Sequence, residues 1–212
     1  MMDIIRAAAG GFQGINVTEK IDGQNVYIGY DIDKKEPLAI RNKAHQAAGG
    51  LSKAKLRAYF TTDRVAAGKT QTPENVVGSF EEAMDDFDDA MEQLSEGELL
   101  ALFRDEEGNA VFYNSEILNP QSVNVIDYDV KKLVVHRAGA AALRDDKLYK
   151  LPAEASEARA AQMTRILDQY GKESLPRVIV NNIMNLQDQI SGLEGNADDA
   201  ISQIKQIIGK YN

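Results

Sequence analysis

The sequence has no cysteine, no tryptophan, two histidines and five prolines. Without cysteine there is no disulfide, no thiolate-held zinc and no thiol nucleophile. His45 and His136 stand far apart in the chain, so an imidazole-rich metal site is not expected, and any metal would be a hard cation held by oxygen. Long apolar runs are also missing, and the start, Met1-Met-Asp-Ile-Ile-Arg6, lacks the charged-then-apolar order of a signal peptide. These absences predict a soluble globular protein of a cytoplasm.

What is present is enough apolar material, 43% of 212 residues, for one sizeable core or one core with a satellite bundle. The net charge of −9 argues against a phosphate-rich partner, which needs clustered Lys and Arg. Its distribution answers that objection. Residues 1–70 carry 11 basic against 7 acidic side chains, whereas residues 71–110 carry 1 against 13, so the acidity is local and a basic face remains available.

The chain reads as an α+β protein. Asp3 to Ala9 is Ala-rich and helical, and Gly10-Gly-Phe-Gln-Gly14 stops it; that spacing matches neither the dinucleotide fingerprint nor the P-loop. Ile15-Asn-Val-Thr18 and Asn25-Val-Tyr-Ile-Gly-Tyr30 alternate apolar and polar residues, predicting two strands joined at Asp22-Gly23. Leu38 to Lys43 reads as a third strand that delivers Arg41 and Lys43 to its end. Lys53, Lys55, Arg57 and Arg64, interleaved with Tyr59 and Phe60, suit either a phosphate-binding surface or a solvated helix face.

Phe80, Ala83, Met84, Phe87, Met91 and Leu94 form one apolar stripe of a helix over 80–94, whose carboxylates lack the spacing of a calcium loop and read as its solvated face. Ala110 to Leu118 and Lys131 to Arg137 read as strands, the first placing Glu116 among apolar neighbours, where a carboxylate needs a partner. The second carries His136 near its end, a position more often structural than catalytic. From Pro152 onward the pattern is helical, with helices expected over 154–170, 176–191 and 196–210. The expected division is a body over 1–150 and a helical segment over 151–212.

Lys20 is the candidate nucleophile. A lysine amine attacks phosphorus once it loses its proton, which nearby positive charge or partial desolvation promotes. Asp22 and Gly23 would supply a turn that brings backbone close to a ligand, and Asn25 an amide for a sugar or phosphate oxygen. Arg41 and Lys43 could balance phosphate charge, and Glu116 could accept from a ribose hydroxyl.

Glu19-Lys20-Ile21-Asp22-Gly23-Gln24-Asn25 resembles the first motif of the covalent nucleotidyltransferase superfamily, the ATP-dependent DNA and RNA ligases and mRNA capping enzymes. It is most similar to the form found in RNA ligases of the second phage type. Arg41-Asn42-Lys43, Phe112-Tyr-Asn-Ser-Glu116 and Leu133-Val-Val-His136 fall where that family places its arginine motif, its ribose-binding glutamate and its base-stacking residue. Glu116-Ile-Leu-Asn-Pro120 with Ser122 to Tyr128 also resembles predicted ligases of large tailed phages.

The resemblance implies an antiparallel-sheet nucleotidyltransferase domain of ATP-grasp-like ligase type with flanking helices. Lys20 would attack the α-phosphate of ATP, hold AMP and pass it to a nucleic acid with a 5′-phosphate end, RNA favoured, with magnesium assisting. Glu19 would contact the adenine edge, Asn25 and Arg41 sugar or phosphate, Glu116 the ribose, and His136 the base. The location would be the host cytoplasm if a phage encodes the protein. The resemblance covers about residues 15–140; the family's metal-holding Glu-Gly strand and its paired-lysine strand are not found. Leu193-Glu-Gly195 runs straight into a helical pattern and does not supply the first. Residues 152–212 are accordingly expected to be a helical insertion, with the remaining motifs beyond Asn212. The alternative is a non-catalytic binding or assembly protein that keeps the half-site and meets a protein partner through residues 152–212.

Overall fold

The computed structural model describes residues 23–122, 131–170 and 178–180. All fall in one compact unit spanning Asp22–Asn181. The fold is α+β, as expected, with a largely antiparallel sheet and several helices. In chain order the elements are β1 (Gln24–Asp31), β2 (Glu36–Ile40), α1 (Lys43–Ala47), α2 (Lys53–Ala58), α3 (Glu74–Met91) and α4 (Glu96–Phe103). They continue with β3 (Val111–Leu118), β4 (Lys132–Arg144), β5 (Lys147–Lys150), α5 (Ala153–Tyr170) and β6 (Val178–Val180). The strands lie in the order β2-β1-β3-β4-β5, and β6 pairs parallel with β4.

Period-two alternation divides the sheet into two faces. Val26, Ile28 and Tyr30 of β1, Val111, Tyr113 and Ile117 of β3 and Leu133 and Val135 of β4 enter the main core. The apolar stripe of α3 covers them with Val77, Phe80, Ala83, Met84, Phe87 and Met91, all buried. Phe103 of α4 joins the two layers, its ring 5.9 Å from Tyr30, 6.0 Å from Phe87 and 5.8 Å from Tyr113. Each fully buried ring contributes about 1.5–3 kcal/mol through water exclusion. The helix α3 extends beyond the expected 80–94 at its start, where Pro73 stands at the N-cap and Glu74 suits the positive end.

Helix α4 was not anticipated from the pattern. Its start is fixed by a capping box in which Ser95 and Glu98 satisfy each other's backbone N–H groups. Its other end is held by α5: Arg159 donates from Nη1 to Leu102 O at 3.0 Å and from Nη2 to Arg104 O at 2.8 Å. These bonds fill carbonyl positions that a helix C-terminus leaves open. Met163 of α5 is itself in the main core.

Two expectations change. The third strand stops at Ile40, and Asn42 caps a helix that begins at Lys43, its side chain accepting from His45 N. Asn is a strong N-cap, which is why the strand cannot continue through Lys43. Val178–Val180, expected inside a helix over 176–191, is a strand paired with Leu133–Val135; β-branched residues suit a pleated surface. The tight turn that follows β1 is Ile32–Lys35, leading to β2, with Lys35 at φ 53°. The expected strand at 15–18 and the helices at 3–9 and 196–210 lie outside the described residues.

The basic run and the acidic helix neutralise one another. Lys53 pairs with Asp85, Arg57 with Glu81 and, at 2.6 Å, with Glu74. Glu82 accepts from Lys131 at 3.0 Å and from Asn119 at 3.1 Å. The carboxylates of α3 therefore do more than meet solvent, and two of the four cations offered as a phosphate surface are already occupied.

Candidate functional site

The second face of the sheet carries Asn25 and Tyr27 from β1, Asn114 and Glu116 from β3, and His136 from β4, none of which belongs to the main core. Asn25 and Glu116 are register partners. Asn25 Nδ2 lies 2.7 Å from Asn114 Oδ1 and 3.3 Å from Glu116 Oε1. His136 Nε2 stands 3.9 Å from the same Glu116 oxygen. The other oxygen, Glu116 Oε2, is buried and has no hydrogen-bond partner among the described residues. A buried carboxylate oxygen left unsatisfied costs on the order of 1–3 kcal/mol or more, so this group is held at a penalty to the fold.

The backbone geometry that builds this cluster is specific. Gly23 passes so close to β3 that an added Cβ would sit 2.5 Å from Ile117 O and 2.9 Å from Leu118 Cδ2. Only glycine permits that approach, which starts β1 in register and sets Asn25 opposite Glu116. On the far side, Ser115 pairs with Val135 and Tyr113 with Ala140, so His136–Gly139 form a bulge opposite Asn114. A Cβ at Gly139 would sit 2.8 Å from Asn114 Cβ. Such bulges bend a strand and re-aim side chains.

Arg41 follows β2 at its end. As a residue it is exposed, yet its guanidinium lies over the Phe80 ring at 4.7 Å and near Phe60 at 6.0 Å. Burial of the guanidinium lowers its pKa from the ordinary value, against the opposing pull of Tyr59 and Glu116, and it remains charged. Among the described residues no carboxylate is paired with it. The Arg41 backbone N–H donates to Nδ1 of the buried His45 at 3.3 Å. Burial, reinforced by the Arg41 charge, pushes His45 down to about 4, so it is a neutral imidazole at pH 7. It sits edge-on to Tyr59, whose hydroxyl accepts from Asn42 at 3.0 Å.

Of the residues singled out by sequence, Asn25, Glu116 and His136 meet in one cluster. Gly23 frames it, Arg41 is near enough for the Glu116 charge to act on it, and Lys43 opens α1, exposed. Glu19, Lys20 and Asp22 lie outside the described residues. Sequence reasoning missed Asn114, although its place two residues before Glu116 on a strand puts it on the same face. Among the described residues no group of three or more His, Asp or Glu side chains could hold a metal ion.

What the arrangement offers is an acceptor carboxylate, a carboxamide pair and an imidazole on one sheet surface; the Arg41 guanidinium, without a carboxylate partner among the described residues, lies against the Phe80 ring of α3, the helix that covers the other face. No protein-family model, curated protein or solved structure matches this chain.

Proposed function

We propose that this surface is the nucleotide pocket of an ATP-dependent, ligase-like nucleotidyltransferase, with Lys20 as the group that carries AMP. The observation that supports the reading best is the buried Glu116 Oε2, which has no partner among the described residues. A carboxylate kept dry and half-satisfied suits a ligand hydroxyl, and a ribose supplies two. Arg41, stacked on the Phe80 ring and without an acidic partner among the described residues, suits a phosphate. Asn25 and Asn114 hold the Glu116 side chain in orientation, and His136 borders the same carboxylate.

In this reading Lys20 Nζ, as the free amine, attacks the α-phosphorus. The P–N bond forms as the bond from phosphorus to the β-phosphate oxygen breaks; pyrophosphate leaves and the nitrogen gives up one proton to solvent. A 5′-phosphate oxygen of RNA then attacks the same phosphorus, the P–N bond breaks, and the nitrogen takes a proton back from solvent to restore the lysine amine. Magnesium, when bound with the nucleotide, would neutralise phosphate charge.

The test is incubation with ATP labelled at the α-phosphate in the presence of magnesium. Label should attach to the wild type and vanish in Lys20→Ala, while Glu116→Ala should label slowly through weakened nucleotide binding. Label that persists in Lys20→Ala removes the assignment. ATP bound without covalent label would leave the alternative, a nucleotide-binding protein without catalysis.

A further inference from the structure

The bulge of β4 is held shut by a side chain outside the sheet. Ser156, in the first turn of α5, is 1% exposed. Its Oγ accepts from Ala140 N at 3.0 Å and donates to Arg137 O at 3.3 Å. One hydroxyl thus bonds the backbone at two points, Arg137 within the four residues of β4 that stand opposite Asn114 and Ala140 directly after them. The neighbouring Glu157 tethers the same segment from outside, its carboxylate 3.5 Å from Arg137 Nη2.

The bulge is where the pocket gets two of its walls. It carries His136 to within 3.9 Å of Glu116, and its Gly139 packs against Asn114, which in turn accepts from Asn25. We infer that Ser156 is a positioning residue for the nucleotide pocket: by pinning the His136–Gly139 bulge it sets where His136 and Asn114 stand relative to Glu116. The consequence is that α5 is part of the pocket's frame. No residue of α5 need touch the ligand for this to hold.

The role rests on the nucleotide reading of the pocket, and two measurements separate the failure of one from the failure of the other. The first is made without nucleotide. With two histidines in the chain, the imidazole region of an NMR spectrum is simple, and His136→Ala assigns it. Ser156→Ala should move the His136 ring signals markedly and leave those of His45 in place; His136 signals that stay fixed overturn the inference, whatever the protein binds. The second is ATP affinity, measured by calorimetry well below the unfolding midpoint. Ser156→Ala should weaken it about 5- to 20-fold, and in a His136→Ala background the same change should weaken it by a clearly smaller factor, the part that acts through Asn114. Affinity unchanged in Ser156→Ala, or effects that multiply in the double variant, would show a merely structural serine. Should the alanine variant not fold, Ser156→Cys keeps the volume with a far weaker hydrogen-bonding group and carries the same two readouts.

Discussion

Asn25 and Glu116 occupy paired positions on β1 and β3, and the amide of the first reaches only one oxygen of the second, at 3.3 Å. The other oxygen stays buried and, among the described residues, unpartnered. Glu116→Gln puts a neutral amide in that place and lowers the desolvation cost. Stability should hold or rise by up to about 1 kcal/mol, while ATP affinity falls tenfold or more through loss of a charge-assisted bond. Urea denaturation and calorimetry on one preparation check both; a variant that is less stable yet binds as well as wild type contradicts the assignment.

Gly23→Ala places a methyl group 2.5 Å from Ile117 O, where backbone must give way. Overpacking of that kind costs about 1–3 kcal/mol. The loss should appear as a lower urea midpoint, with Asn25 signals displaced more than those of the core. A neutral substitution would mean that β1 enters the sheet differently.

Asp105 gives the fold a defined acid sensitivity. Burial alone would raise its pKa, but hydrogen bonds from Asn109 and Arg144 and from the backbone N–H groups of Asn109 and Glu107 outweigh that and hold it at about 2. Its folded value lies below the ordinary one, so its contribution is present above pH 4 and is lost as pH falls from about 4 to about 2. The contribution is on the order of 2 kcal/mol at most, discounted because its partner Arg144 is 39% exposed. Stability of wild type and Asp105→Asn should therefore converge on acidification, seen in urea midpoints at pH 6 and pH 3; parallel curves would rule the linkage out.

Arg159 closes the end of α4 with a planar fork that reaches Leu102 O and Arg104 O together. Arg159→Ala should cost about 1–3 kcal/mol. Arg159→Lys should recover less than half, because an ammonium cannot span both carbonyls. Full recovery by lysine would show that charge alone matters there.

Much of this architecture is legible in the sequence where one period dominates. The stripe from Phe80 to Met91 and the alternation in Asn25–Tyr30 each specify a single face, so helix and strand follow from residue spacing. The same parity places Asn25 and Glu116 on sheet surfaces, although only the register shows that they meet. Two local signals were present but unread: Asn42 as a helix cap, and the Ser95–Glu98 box that begins α4. Val178–Val180 was misread because a short apolar run fits a helix as well as a strand until a neighbouring strand is there to pair with it. The Ser156 clamp has no sequence signature, since its partners are backbone groups, which every residue type carries.

The separations within this site also set when it can exist. The bond from Asn25 to Glu116 joins residues 91 apart, and Gln46 Oε1 accepts from Leu148 N across 102 residues. Contacts so distant in the chain pay loop-closure entropy before they return anything, which slows folding. A growing polypeptide that has not yet emerged past Val111 holds no part of β3, and one short of Ser156 holds an unpinned bulge. The cluster around Glu116 therefore matures late in synthesis, together with the core beside it, which also draws on Tyr113 of β3, Val135 of β4 and Met163 of α5.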